Sequence, residues 1–245
     1  MHRRSNRQSG ESRFSNEDRP RPLHRLVIVP VRSFTDAKSR LGSVLDADQR
    51  SRLARASATS VLTRIGFARA VVVCNDDEVV RWSRALGVPT CQVAVSGLNQ
   101  SLQAAVPRIM AERQPEEIVI VHADLAFPDA LTELDIVVPP GTASSVAVVP
   151  DRHHDGTNLL ALGNDIVPQW RFTYGPGSCR AHCEQARALG AELRVIEHPD
   201  LGFDLDTPQD LEDHRVRAAV AAIIADRNAE LNLPVPSRDQ PDETR

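Results

Sequence analysis

The chain has almost no lysine: of its 29 basic residues 28 are arginine, and the single lysine is Lys38. The formal net charge is −4, which argues against a protein that coats nucleic acid. Nothing resembles the run of about 18 or more apolar residues that a transmembrane helix needs. Residues 1–24 are polar and Arg-rich and lack the apolar stretch of a secretory signal. Glycine is missing from the loop after the first strand signal until Gly42, so neither a P-loop nor a dinucleotide fingerprint is supported. Cysteine is scarce too. Cys74, Cys91, Cys179 and Cys183, without a secretory signal, point to reduced thiols in the cytoplasm. Cys179 and Cys183 flank His182, but a zinc site needs about four ligands, and the other two cysteines fall in or beside predicted core strands.

What is present is an ordinary globular composition, 41% hydrophobic and 25% charged in 245 residues. We expect one domain over residues 25–228, between a disordered extension (1–24) and a flexible tail (229–245). A basic arm meeting an anionic partner is the alternative reading of the extension. Strand and helix signals alternate. Strands are expected over 26–31, 69–74, 90–95 and from Ile118, with helices over 46–65, 76–86 and 99–112 between them. Leu53, Ala56, Ser60 and Leu62 lie near one side of the first helix. Such a β-α-β series winds into a parallel sheet covered by helices. The second half is less regular, with strands expected over 145–149, 158–162 and 192–197 and helices over 178–189 and 208–225. They extend the same sheet with mixed strands. The fold class is α/β, a mostly parallel sheet with helices on both faces.

Four stretches carry possible chemistry. Ile118 to Val121 are all β-branched, as in a strand buried on both faces, and the run then breaks into His122 and Asp124. Ligands gather beyond the carboxyl ends of strands in open α/β sheets, so Asp124 is placed to hold a metal or a hydroxyl, or simply to cap the turn. The loop after strand one carries Arg32, Lys38 and Arg40, three cations that could grip a polyphosphate. A chain that otherwise uses arginine can keep one compact ammonium where a point charge meets a phosphate oxygen. Asp155-Gly156-Thr157-Asn158 and, later, Tyr174-Gly175-Pro176-Gly177-Ser178 suggest backbone amides and hydroxyls directed at an anion, Ser178 serving alternatively as a helix N-cap. In Asp204-Leu205-Asp206 two carboxylates project to one side of an extended segment, and a divalent cation is the natural third party. Thr207 and Asp210 read as a capping box. A strand-end Asp, a later Asp-x-Asp and a cationic first loop together describe a metal-dependent nucleotidyltransferase.

At these residues the sequence resembles the guanylyltransferases of coenzyme F-420 biosynthesis, which join GMP to 2-phospho-L-lactate or phosphoenolpyruvate. The matching pieces are VPVRSFTDAKSRL, Gly97-Leu98-Asn99, HADLAF, DGTN, FTYGPGS and DLDTPQDL, in the family's order. Two positions depart from the pattern: Arg32 stands where a lysine is expected and Ala126 where a proline is common. The resemblance implies a single-domain, Rossmann-like nucleotidyltransferase fold and magnesium on Asp124 and Asp204, with Asp206 as further ligand or support. It implies that Arg32 and Lys38 face phosphates, that Gly97, Leu98 and Asn99 line the guanine pocket, and that Thr157, Gly175 and Ser178 bind the acceptor. The implied reaction is transfer of GMP from GTP to phosphoenolpyruvate in the cytoplasm. Alternatives are 2-phospho-L-lactate as acceptor, a sugar-phosphate or molybdenum-cofactor nucleotidyltransferase, and a nucleotide-binding regulatory protein. The expected partners are GTP and a phosphorylated three-carbon acid, without nucleic acid or membrane. A homodimer and hand-over to the downstream lactyl transferase are further partners this reading admits.

Overall fold

The computed structural model describes residues 25–225, so the expected extension, tail and domain end at 228 lie outside the described residues. Seven strands form one sheet in the order β3-β2-β1-β4-β6-β5-β7. These are β1 (Arg25–Pro30), β2 (Ala70–Cys74), β3 (Thr90–Gln92), β4 (Glu117–Val121), β5 (Ser145–Pro150), β6 (Thr157–Gly163) and β7 (Glu192–Val195). All pairings are parallel except those of β6, which runs against both β4 and β5. The helices are α1 (Ala47–Ile65), α2 (Asp77–Ala85), α3 (Leu98–Arg113), the short α4 (Leu134–Val137), α5 (Ser178–Ala188) and α6 (His214–Ala225).

The two-residue period of the strands decides which side chain meets which layer. Val27, Val29, Val72, Val119 and Val121 face α1, α2 and α4. Leu26, Ile28, Val71, Ile118 and Ile120 face α3 and α5 on the other side. The sheet is therefore covered on both faces, which is why its central strands read as unbroken apolar runs. A third cluster packs Val216 and Val220 of α6 against Leu53 and Leu41.

Helix starts follow their caps. Asp46 accepts the Gln49 N–H at 2.8 Å and Gln49 returns a bond to the Asp46 N–H, a capping box worth about 1 kcal/mol. Asp76 caps α2 through the N–H groups of Glu78 and Val79. Three expectations change. The buried side of α1 is Leu53, Ser57, Ala58, Val61, Leu62 and Ile65, while Ala56 and Ser60 are only half-buried. The single helix expected over 208–225 is a 3-10 turn (Pro208–Glu212) followed by α6, because Asp213 is extended and its carboxylate caps α6 through the Arg215 N–H. The edge strands β3 and β7 are shorter than expected.

Candidate active site

Strand β1 connects onward to β2 on one side while β4 lies on its other side, so the chain reverses its winding direction between β1 and β4. Loops leaving the carboxyl ends of two such strands diverge and open a crevice. Here the crevice is a cavity of about 400 Å³. Its walls include Arg32 and Lys38 from the loop after β1, Gly97 and Leu98 from the start of α3, Asp124 from beyond β4, and Asp206.

Lys38 is built into this site at a backbone cost. Its φ of 54° and ψ of 36° are left-handed, a conformation that costs a side-chain-bearing residue about 1–2 kcal/mol. The Lys38 ammonium donates to Asp124 Oδ2 at 2.8 Å and, in a very short bond, to the Leu205 carbonyl. Arg32 is exposed and has no ion pair among the described residues. Gly97 precedes α3 with φ 91°, a backbone conformation that favours glycine because a side chain there would be strained.

Two short antiparallel segments align the acids. The Ala126 N–H donates to the Phe203 carbonyl at 2.9 Å, the Leu205 N–H donates to the Asp124 carbonyl at 3.1 Å, and Leu125 pairs with Asp204. Burial pushes the Asp124 carboxyl up, but Lys38 and then His122 outweigh it and hold the group below the usual carboxylate range. Asp204 moves the other way, raised by burial and then by the negative charge of Asp124. Asp206 is held at 2.7 Å by Arg40. Behind them Asp210 accepts the Asp206 and Thr207 N–H groups at 2.7 and 2.6 Å and pairs with Arg152, whose guanidinium stacks on Phe203. The capping box expected at Thr207 and Asp210 is present.

The remaining residues singled out in the sequence fall beside this cavity rather than in its wall. Asp155 accepts the Gly177 N–H at 3.0 Å through its carboxylate and the Cys179 N–H at 3.0 Å through its carbonyl, which brings DGTN against the 174–178 loop. Gly177, at φ 73°, is the cap of α5, and Ser178 is the first helical residue. Thr157 and Ser178 are both buried. The Thr157 hydroxyl is 3.0 Å from His182 Nδ1, and the Thr173 N–H donates to His182 Nε2 at 3.4 Å. With Nε2 accepting, Nδ1 carries the proton and donates to Thr157. Burial, with a smaller contribution from His122, pushes the His182 pKa down to about 4, so the ring is neutral. Asn99 does not line the cavity; its amide is taken up by the Tyr174 backbone.

Sequence reasoning missed the place of His122 in the cavity wall, the pairing of Arg152 with Asp210, and the Leu205 carbonyl. His122 lines the cavity and packs its ring on Tyr174 at 5.1 Å, and its Nε2 is buried without a partner among the described residues. No group of three or more His, Cys, Asp or Glu side chains is arranged to hold a metal among the described residues, the Cys179–His182–Cys183 group included. What the site does offer is a pair of hard oxygen donors, Asp124 and Asp204, whose mutual repulsion a divalent cation would relieve.

A parallel sheet with one reversed strand, an acid beyond its central strand and cations in its first loop define a protein of the nucleotidyltransferase fold class. The same fold is seen in a putative nucleotide-diphospho-sugar transferase from Desulfovibrio desulfuricans, with a TM-score of 0.60 and 16% identity over 82% of this chain and 97% of that one. The 4-diphosphocytidyl-2C-methyl-D-erythritol synthase structure gives 0.55 and 12%, over 80% and 99%. Sequence carries the assignment further. The family described as "Guanylyl transferase CofC like" matches residues 25–217, and the chain belongs to that family. The phosphoenolpyruvate guanylyltransferase of Sphaerobacter thermophilus is 35% identical over 80% of this chain and 95% of its own length. That of Rubrobacter xylanophilus is 32% identical over 76% and 90%. The 2-phospho-L-lactate guanylyltransferase of Halorubrum lacusprofundi is 31% identical over 78% and 84%.

Proposed function

We propose that this protein transfers GMP from GTP to phosphoenolpyruvate, with release of pyrophosphate, as a cytoplasmic step of coenzyme F-420 biosynthesis. One observation carries the reading: Lys38, Asp124 and Asp204 converge at the switch point of a chain that belongs to a guanylyltransferase family. The phosphoenolpyruvate-named relatives from Sphaerobacter and Rubrobacter favour that acceptor. The Halorubrum relative keeps 2-phospho-L-lactate as the second reading.

Asp124 and Asp204 are the residues that would hold magnesium, and Asp206, tied to Arg40, supports them or adds a ligand. The ion, when bound, supplies charge neutralisation at the α-phosphate. Arg32 and Lys38 face the phosphates of GTP and neutralise the departing pyrophosphate. Gly97 and Leu98 line the guanine side of the cavity. Thr157, Gly175 and Ser178 hold the phosphate and carboxylate of the acceptor. An oxygen of the acceptor phosphate attacks the α-phosphorus as the bond to pyrophosphate breaks. That oxygen is already ionised at neutral pH, so no general base is required, and the chain contributes alignment and charge. A silent nucleotide-binding role is disfavoured by the presence of all three acids.

The test is pyrophosphate release from GTP and magnesium with phosphoenolpyruvate, with 2-phospho-L-lactate, or with neither, in wild type and Asp124→Ala. Release should require phosphoenolpyruvate and fall by about 100-fold or more in the variant. Release that requires 2-phospho-L-lactate instead would move the acceptor. No release with either, from a protein that still binds GTP, would overturn the assignment.

A further inference from the structure

We propose that Asn99 is a positioning residue for the acceptor, a strut that ties the acceptor loop to the nucleotide end of α3. The inference rests on the acceptor role given above to Gly175 and Ser178. Asn99 Nδ2 donates to the Tyr174 carbonyl at 2.9 Å, and Asn99 Oδ1 accepts the Tyr174 N–H at 2.7 Å. One turn later Gln103 repeats the pattern, donating to the Trp170 carbonyl at 3.3 Å and accepting the Phe172 N–H at 3.4 Å. Four residues of helix rise about 6 Å and two residues of extended chain about 6.6 Å. Amides four apart on α3 therefore meet backbone groups at alternate residues of the 170–174 segment, and side chains supply what a neighbouring strand would otherwise supply.

This geometry assigns Asn99 away from the base. Its side chain is not part of the cavity wall, and its amide is oriented by one donor and one acceptor bond to Tyr174. Gly97 and Leu98, immediately before it, line the cavity, while Gly175 immediately follows the residue it holds. The Tyr174 ring is also fixed, between His122 at 5.1 Å and His182 at 4.9 Å. Its side chain and backbone thus join the cavity wall, the α3 N-terminus and the helix that begins at Ser178. Ordering the start of α3 by nucleotide orders the acceptor loop, most directly through the two Asn99–Tyr174 hydrogen bonds, which makes acceptor affinity depend on GTP.

Amide hydrogen exchange of the full chain over residues 170–178, with and without GTP and magnesium, tests the coupling without turnover. In wild type the Tyr174 amide should be protected, and GTP should deepen that protection. In Asn99→Ala, Tyr174 should exchange about tenfold faster and lose its response to GTP. The KM for phosphoenolpyruvate should rise about tenfold, while the Kd for GTP without acceptor stays within about twofold. Asn99→Asp keeps the accepting oxygen but not the donor and should fall between; it carries the same test if Asn99→Ala does not fold. A GTP Kd that rises as much as the acceptor KM, or a GTP response of Tyr174 that is the same in wild type and variant, would overturn the proposal. If wild type transfers GMP to neither acceptor, the proposed reaction fails, and the exchange experiment still decides whether Asn99 couples the two segments.

Discussion

An ion pair lies at each end of strands β1 and β4, and the two pairs are built for opposite purposes. At the amino ends, in register, Arg25 meets Glu117, with side chains 2% and 1% exposed. Every contact there closes the pair in: Arg25 reaches Asp135 at 2.9 Å and the Val138 carbonyl at 2.7 Å, and Glu117 accepts the Gly141 N–H at 3.1 Å. Arg69 balances the second acid. At the carboxyl ends Lys38 meets Asp124, with side chains 5% and 30% exposed, on a strained backbone and in a cavity. Asp204 lies alongside with no ion pair among the described residues. One end is balanced and sealed; the other is open and holds a carboxylate that lacks a cation of its own. The register of the two central strands brings the sealed charges together, and the unbalanced end opens on the cavity.

Breaking the sealed end should give the largest change in stability. Glu117→Ala leaves the Arg25 guanidinium buried beside only the half-exposed Asp135, and an uncompensated buried charge costs about 3–5 kcal/mol. Urea denaturation should show that loss, while the turnover of the folded fraction stays near wild type because Glu117 lies at the far end of the strand. Replacing both partners, Arg25→Met with Glu117→Leu, should recover most of the stability, since an apolar pair of similar volume needs no desolvation. A double variant no more stable than Glu117→Ala would mean that the hydrogen bonds to Val138 and Gly141, not the charge, hold this end.

The open end should respond differently. Lys38→Gly removes the cation but also releases a left-handed backbone that costs about 1–2 kcal/mol. We expect its unfolding free energy to stay within about 1 kcal/mol of wild type, while pyrophosphate release falls by about 100-fold. Lys38→Ala lacks the strain relief and should be less stable than Lys38→Gly by about 1 kcal/mol. Equal stability of the two variants would show that the backbone at 38 relaxes once the ammonium is gone.

The sequence made one of these ends legible and hid the other. Unbroken apolar runs in the central strands and the acids Asp46 and Asp76 before helices are local signals, and the sheet and helix starts follow from them. The open end was visible because its residues stop a pattern: Asp124 ends an apolar run, and Lys38 stands alone in type. Arg25 and Glu117 are 92 residues apart, each reads as an ordinary polar residue at a strand edge, and only the register of β1 on β4 joins them. Asn99 failed in a different way. It follows the cavity-lining Gly97 and Leu98 in sequence, but the partner of its amide lies 75 residues on in an irregular segment that has no periodicity to read. The break at Asp213 had a signal that the longer helical pattern masked, an Asp two residues before the first N–H it caps.

The smallest effect is the one that tests the imbalance itself. An acid whose folded pKa is raised binds more protons folded than unfolded between the ordinary value and the raised one, so stability falls as pH rises through that window. Asp204 is such an acid, raised by burial and then by Asp124. Asp124, lowered on balance, has the opposite slope: its contribution is present above the ordinary carboxylate range and is lost as pH falls through its folded value. Asp204→Asn removes only the first slope. Without metal the variant should therefore be more stable than wild type at neutral pH, by under about 1 kcal/mol, and the difference should vanish in acid below the ordinary carboxylate range. Magnesium should narrow the same gap from the other side, raising the thermal midpoint of wild type more than that of Asp204→Asn, because only wild type has the repulsion to relieve. A variant that is less stable than wild type without metal at neutral pH would mean that Asp204 is satisfied by its surroundings and that the open end is balanced after all.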